Sequence, residues 1–247
     1  MPERARTGCT NRPASGINGK SPACLSARSR LLLGNIPRKG GAVSITTEIW
    51  AMFASETGLP FKEASEIGRR IREQGLFSKH TRAKESQVIT DTDLANLIIA
   101  GMSGLPPQQA HLAVRRLSDA SVFNGDYKHI DQDRAAFEEF GAPLTVFLDP
   151  EHTFTEAVAA LFGMARKGPS VFEKTFRYTW VSIDQRRFSG EIHLHAEVFK
   201  LLPETVLDTQ IEYVPPEEFF QGDLEIHARL TATTISALAR AADRVTP

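Results

Sequence analysis

The stretch ASETGLPFKEASEIGRRIREQGLFSKHTRAKESQVITDTDLANLI, residues 54–98, decides the fold of the first half of the chain. Its first part predicts two helices separated by a tight turn. Gly58 ends the first helix, and Pro60 begins the second, because a proline at the first helical position gives up no hydrogen bond. Gly75 ends the second helix. The apolar positions of this helix recur at helical spacing and predict its buried side; they are Phe61, Ala64, Ile67 and Ile71.

Two short apolar segments follow and flank a polar loop. Residues 76–77 and 87–90 are predicted to be short strands, and SKHTRAKES, residues 78–86, is the loop between them. Thr90 and Asp93 then stand in the relation of a capping box at the start of a third helix. Helix, turn, helix, small hairpin and helix is the order of elements in a winged helix-turn-helix.

The basic side chains of this stretch are the candidate DNA contacts. At about 100° per residue, Lys62 and Arg69 point away from the apolar stripe of the second helix, and Arg70 and Arg72 flank it. A helix with an apolar back and a basic front suits the major groove, and a basic loop suits a wing on the phosphate backbone or in the minor groove. The candidate residues are Lys62, Arg69, Arg70, Arg72, Lys79, His80, Arg82 and Lys84.

The second helix also has an ordinary explanation. Three of its four basic residues stand four positions from a glutamate, in the pairs Lys62–Glu66, Glu66–Arg70 and Arg69–Glu73, and such pairs stabilise any solvated helix. The loop is the stronger indication, because its basic residues have no helical partners. DNA binding is therefore the first hypothesis for this module. A non-catalytic protein–protein interaction through the same fold is the alternative.

Residues 54–98 resemble the N-terminal winged helix of MerR-type regulators, and the resemblance is confined to about residues 46–100. The second helix is about a turn longer than in that family, the paired tyrosines after its arginine are absent, and no long dimerising coiled coil follows. The resemblance implies a similar winged helix on duplex DNA and no inducer chemistry. The matching positions are Ala54, Thr57, Gly58, Arg72, Gly75, Leu76, Arg82, Asp93 and Leu94.

Charge divides the 247 residues into a basic and an acidic half. Residues 1–120 hold 17 Lys and Arg against 10 Asp and Glu, and residues 121–247 hold 12 against 20. A basic half joined to an acidic one indicates a polyanion-binding module with a separate partner or regulatory module. We expect three segments: a disordered basic extension (1–42), a winged helix-turn-helix with additional helices (43–120) and an acidic α+β domain (121–247).

The extension has two interpretations that the sequence leaves open. It holds eight basic residues and one acid and has no apolar periodicity, so it cannot bury enough apolar surface to offset its chain entropy. It is either a basic arm that adds non-specific affinity for phosphates or a tail without function, including an upstream extension from a misplaced start.

The acidic half is predicted to form an antiparallel sheet with helices. Four strand-like stretches, residues 171–183, 190–199, 206–214 and 223–232, precede a closing helix. His193 and His195 alternate with Glu191 and Glu197 in GEIHLHAEVF, which makes the two histidines weak candidates for a metal site. The same alternation is typical of any half-buried strand, so no metal and no cofactor is expected. No catalytic motif occurs and no enzymatic activity is expected, so an enzyme in this half is the third hypothesis, after DNA binding and protein interaction.

Composition and apolar patterning indicate the expected cellular location of the protein. No apolar run approaches the ~20 residues that span a bilayer, and the first residues lack a signal-peptide hydrophobic region. Cys9 and Cys24 have no metal-ligand spacing. We expect a cytoplasmic protein without membrane contact. Its expected partners are double-stranded DNA and a second copy or another protein bound through the acidic domain.

Overall fold

The computed structural model describes residues 45–78, 89–125, 134–197, 206–215 and 227–245. The expected basic extension, residues 1–42, lies outside the described residues. So do the loop candidates Lys79, His80, Arg82 and Lys84.

Two helices and a three-residue turn begin the described chain. Helix α1 (Ile45–Thr57) and helix α2 (Phe61–Glu73) flank Gly58, whose φ of 75° is a conformation that a side chain disfavours. The helices pack closely at Gly68, where a Cβ atom would lie 2.4 Å from the Trp50 ring. The predicted helix–turn–helix order is therefore present, and Pro60 stands directly before the first residue of α2.

The third helix begins with the predicted capping box. In helix α3 (Asp91–Met102), the Asp93 N–H donates to Thr90 Oγ1 at 3.0 Å, and the Thr90 N–H donates to Asp93 Oδ2 at 2.9 Å. This satisfies two backbone donors that the helix itself leaves unpaired. Helix α4 (Ala110–Ser118) follows.

The two short strands of the predicted hairpin do not form within the described residues. Residues 76–77 and 89–90 are not in strand conformation, and residues 79–88 lie outside the description. Phe77 and Ile89 are instead buried in the core of the helices. The two apolar segments that were predicted to be strands thus each contribute one buried side chain to the core of the helices.

The second half contains strands and helices in mixed order. Among the described residues, none of the helices is long and apolar enough to cross a membrane. Helix α6 (Phe154–Lys167) starts with a capping box formed by Thr153 and Glu156. The elements are β1 (Ser121–Gly125), α5 (Arg134–Phe140), a 3₁₀ helix (Leu144–Leu148), α6 (Phe154–Lys167), α7 (Pro169–Thr175), β2 (Trp180–Asp184), β3 (Ser189–Glu197), β4 (Val206–Val214), β5 (His227–Thr231) and α8 (Ala232–Val245).

The strands form one five-stranded antiparallel sheet in the order β1–β4–β3–β2–β5. Trp180 on β2 pairs with His193 on β3, which pairs with Gln210 on β4. Alternate residues such as Ile192 and Leu194 are fully buried, so one face of the sheet packs on the core. The chain is therefore a mixed α+β protein, as the strand patterns predicted.

One predicted strand is too long, and one strand was not predicted. Residues 171–175 are part of helix α7, because Pro169 sits at its first position and Phe172 and Phe176, four residues apart, are both buried. Strand β1 lies at the sheet edge and has a bulge between Val122 and Asn124, which breaks the alternation that reveals a strand.

The predicted boundary at residue 120 does not separate two cores. Buried side chains from both sides of it belong to one hydrophobic cluster, and residues Arg38–Pro247 form one compact unit. Helix α3 packs on α6, and α1 packs on α8. Arg166 of α6 joins these elements, because its guanidinium lies 3.1 Å from an oxygen of Asp91 and 3.3 Å from one of Asp243.

Candidate nucleic-acid interface

Helix α2 has a buried back and an exposed front. Ala64, Ile67 and Ile71 are buried, as their spacing predicted. Phe61 was also predicted to face inward, and this is wrong: it is 48 % exposed, since it is the first residue of the helix and lies beyond the packing of α1. The stripe of α2 is therefore shorter than predicted, and the helix presents its first turn to solvent.

Two of the candidate arginines are bound to glutamates of their own helix. Arg69 lies 2.8 Å from Glu73 Oε1 and also binds Glu66, and Arg70 reaches Glu66 at 3.0 Å and Glu73 at 3.1 Å. The hydrogen bond from Arg69 holds the pKa of Glu66 below its usual range. These are exposed pairs, which contribute little to stability and exchange readily with other anions. The network of four charges is neutral as it stands.

Arg72 has a different environment. Its guanidinium carbon lies 5.8 Å from the Trp50 ring centre and 5.9 Å from that of Phe77, and the two rings pack edge to face. Partial burial lowers the pKa of Arg72. Within the described part of the chain, no carboxylate forms an ion pair with Arg72. The aromatic rings fix the guanidinium beside the end of α2 while it keeps its charge.

Lys62 lies on the exposed first turn of α2. It lines a shallow groove together with Glu63, Glu66 and the loop of residues 104–108, which includes Pro106 and Pro107. In the described ranges Lys62 has no ion-pair partner. At the other end of the helix, Arg115 of α4 donates a 2.9 Å hydrogen bond to Gln74. Basic side chains thus stand at both ends of the exposed face of α2.

The two stems of the predicted wing meet at a buried carboxylate. The Ser78 N–H donates to Asp93 Oδ1 at 2.7 Å, while Asp93 Oδ2 accepts the bond from Thr90. The Asn96 side-chain amide donates to the Leu76 carbonyl at 2.7 Å, and Arg166 donates to the Ile89 carbonyl. The stems on either side of residues 79–88 are therefore held at the N-terminus of α3.

Sequence reasoning missed this second role of Asp93. The capping box assigned one carboxylate oxygen to Thr90, which is three residues away, and left the other without a partner. The Ser78 bond spans fifteen positions and has no local pattern. The available signal in the sequence was the position of Asp93 and Asn96 among the apolar residues of α3. Both are buried, and buried polar groups need hydrogen-bond partners.

The two histidines considered as metal ligands share one carboxylate. His193 Nε2 lies 2.7 Å from Asp208 Oδ1, and His195 Nδ1 lies 3.5 Å from the same oxygen. Glu191 of β3 accepts hydrogen bonds from Ser182 and Gln210. Among the described residues, no group of three His, Cys, Asp or Glu side chains has the geometry to hold a metal ion.

Comparison of the chain with protein-family models, with curated proteins and with solved structures found no match.

Proposed function

We propose that this protein binds duplex DNA through helices α1 and α2 and the basic loop of residues 79–88, as a regulator or as an accessory factor of a mobile element. The observation that carries the proposal is the form of α2. It follows α1 after a three-residue turn, buries Ala64, Ile67 and Ile71, and exposes Lys62 and the arginines. A helix held in this way can enter a major groove with its basic face.

The arginines of α2 contribute unequally to this proposal. Arg69 and Arg70 must exchange their glutamate partners for phosphates, so part of their affinity is lost in breaking existing pairs. Lys62 and Arg72 form no ion pair with any described residue, and they are the first candidates of the helix for phosphate contacts. The loop adds Lys79, Arg82 and Lys84 against one acid, Glu85.

The stems support the placement of the loop next to α2. Because Asp93 binds the backbone of Ser78 and of Thr90, the basic loop leaves and re-enters the fold close to the N-terminus of α3. A wing needs this kind of rigid support, since phosphate contacts from a freely moving loop cost additional ordering entropy. The resemblance of residues 46–100 to MerR-type winged helices agrees with this arrangement.

Protein–protein interaction through the same module is the second candidate. Phe61 on α2 and Leu112 on α4 are large apolar side chains that are 48 % and 45 % exposed. Exposed apolar residues are typical of surfaces that meet another protein. A second copy bound through the acidic half would be compatible with DNA binding, because dimers present two recognition helices about one DNA turn apart.

A binding titration with mixed duplex fragments separates the two candidates. Fluorescence anisotropy at about 50 and 200 mM salt is expected to show binding that weakens by about a thousandfold or more if six or more phosphates are contacted. Absence of binding at the lower salt concentration would refute the DNA proposal and leave protein interaction as the remaining candidate.

A further inference from the structure

Aromatic and imidazole rings form a continuous row on the face of the sheet opposite the core. We call it the ring row. The Tyr178 and His195 ring centres are 5.3 Å apart, those of His195 and His193 6.3 Å, and those of His193 and Trp180 5.4 Å. An arginine closes each end. In order, the ring row consists of Arg177, Tyr178, His195, His193, Trp180 and Arg229.

The ring row lies on the side of the sheet away from the core. His193 and His195 alternate with Ile192, Leu194 and Ala196, which are fully buried on the other face. Tyr178 is 55 % exposed and is among the large apolar side chains that meet solvent. The core lies on the opposite face of the sheet, and on the face of the ring row the side chains of His193 and His195 are 23 % and 22 % exposed.

We propose that the ring row binds single-stranded nucleic acid by stacking bases on its rings. Unpaired bases offer flat apolar faces that stack on aromatic side chains and on guanidinium planes, whatever the sequence. Arg177, Tyr178 and Arg229 are the exposed members of the ring row and offer such stacking surfaces at its two ends. This activity is distinct from duplex binding through α2, and it uses the other half of the chain.

A polar pocket next to Tyr178 supplies contacts for phosphates. It has a volume of about 710 Å³ and is lined by two cations, Lys174 and Arg177, and by the hydroxyl groups of Ser170, Thr175 and Thr233. Its single acid, Glu173, lies 3.6 Å from Arg240. The pocket is therefore positive in a half of the chain where acids outnumber bases 20 to 12. Lys and Arg with hydroxyl donors are the usual phosphate contacts.

The acids near the ring row restrict the path of the strand. Asp208 touches the middle of the row, where its carboxylate is bound to His193 and close to His195. Ser182 lies two positions beyond Trp180 on β2. It pairs with Glu191 on β3, which in turn pairs with Glu212 on β4. Phosphates are thus favoured at the Arg177 end and disfavoured beyond Trp180, so the strand would run along the row with its backbone toward the pocket.

A cationic partner fits this surface less well than a nucleic acid. The faces of Tyr178 and Trp180 that would attract a positive group already hold Arg177 at 5.7 Å and Arg229 at 4.1 Å from their ring centres. A lysine- or arginine-rich peptide would meet two like charges at the ends of the row. A base, in contrast, stacks on a guanidinium without this repulsion.

The test is anisotropy of labelled dT20 and U20 with the full-length protein at 150 mM salt. Tyr178→Ala and Arg177→Gln change exposed side chains and leave the core intact. We expect each to weaken binding about fivefold or more, which corresponds to one lost stacking contact. Phe123→Ala, which removes another exposed aromatic ring from strand β1, is the matched control and should have no effect. Preference for dT20 or U20 identifies DNA or RNA as the ligand.

Three results would overturn the proposal. One is absence of binding to both oligonucleotides. Another is equal loss in Phe123→Ala and Tyr178→Ala, and the third is binding of an arginine-rich peptide that dT20 and U20 do not compete. Duplex binding measured on the same variants distinguishes single-strand binding by the ring row from duplex binding through α2, because Tyr178→Ala should leave duplex binding unchanged.

Discussion

The backbone N–H of Ser78 donates a 2.7 Å hydrogen bond to the carboxylate of Asp93, fifteen positions further along the chain. The same carboxylate caps α3 through Thr90. The buried side chain of Asp93 thus joins Ser78, which follows α2, to Thr90, which lies after the basic loop and before α3. The local order of this module depends on Asp93 more than on any of the basic residues.

Replacement of Asp93 is therefore expected to lower stability. Asp93→Ala leaves two backbone N–H groups without acceptors and should reduce the free energy of unfolding by about 2 kcal/mol. Asp93→Asn keeps an amide oxygen for one of the bonds and should cost less. Urea unfolding measures both, with Thr92→Ala, an exposed change on the same turn, as the control. Equal stability of Asp93→Ala and Thr92→Ala would contradict the assigned role.

Release of the α2 arginines is expected to strengthen duplex binding. Glu66→Gln removes one of the two carboxylates that bind both Arg69 and Arg70, so each arginine keeps only its pair with Glu73 and becomes more available to phosphates. Stability should change by less than about 1 kcal/mol, because the pairs are exposed. Glu63→Gln removes the same charge from the same helix without freeing an arginine. A titration in which both variants gain equally would indicate a general charge effect instead of released arginines.

Close packing of α1 and α2 is expected to require glycine at position 68. A Cβ atom there would lie 2.4 Å from the Trp50 ring, so Gly68→Ala must displace the ring or separate the helices. We expect a loss of about 1–3 kcal/mol in the free energy of unfolding. Ser65→Ala, on a less crowded side of α2, should be nearly neutral in the same thermal or urea measurement. Unchanged stability of Gly68→Ala would show that the two helices are further apart.

Acid is expected to destabilise the fold through His152. This side chain is buried, with its Nε2 atom 2.6 Å from the Tyr213 hydroxyl, and burial lowers its pKa below the ordinary 6.5. Below pH 6.5 the unfolded chain therefore binds a proton that the folded chain does not, so this contribution to stability is lost as the pH falls. Urea unfolding between pH 8 and 5 should show a smaller decrease for His152→Gln than for the wild type. An identical decrease would assign the pH dependence to other groups.

Local patterns predicted local structure well in this chain. The capping box at Thr90 forms as expected, because its two side chains lie within four consecutive residues. The buried side of α2 follows from its spacing for the same reason. Of the predicted hairpin only the ends are described, and Phe77 and Ile89 are buried there outside any strand.

Long-range contacts account for what the sequence did not reveal. The bond from Ser78 to Asp93, the triad formed by Arg166 with Asp91 and Asp243, and the ring row all join residues far apart in the chain. No periodicity encodes them. The change of charge near residue 120 suggested two domains, but charge describes the surface, while the shared core depends on apolar side chains from both halves.

The salt dependence of duplex binding tests the central claim most directly. The slope of log K against log salt should become less steep by about 1.8 in the double variant Arg82→Ala, Lys84→Ala, because each lost phosphate contact contributes about 0.9. The control is Arg186→Ala with Arg187→Ala, which removes two charges from the turn between β2 and β3. It should leave the slope of the wild type unchanged. Equal slopes for the wild type and the loop variant would contradict DNA binding through this module.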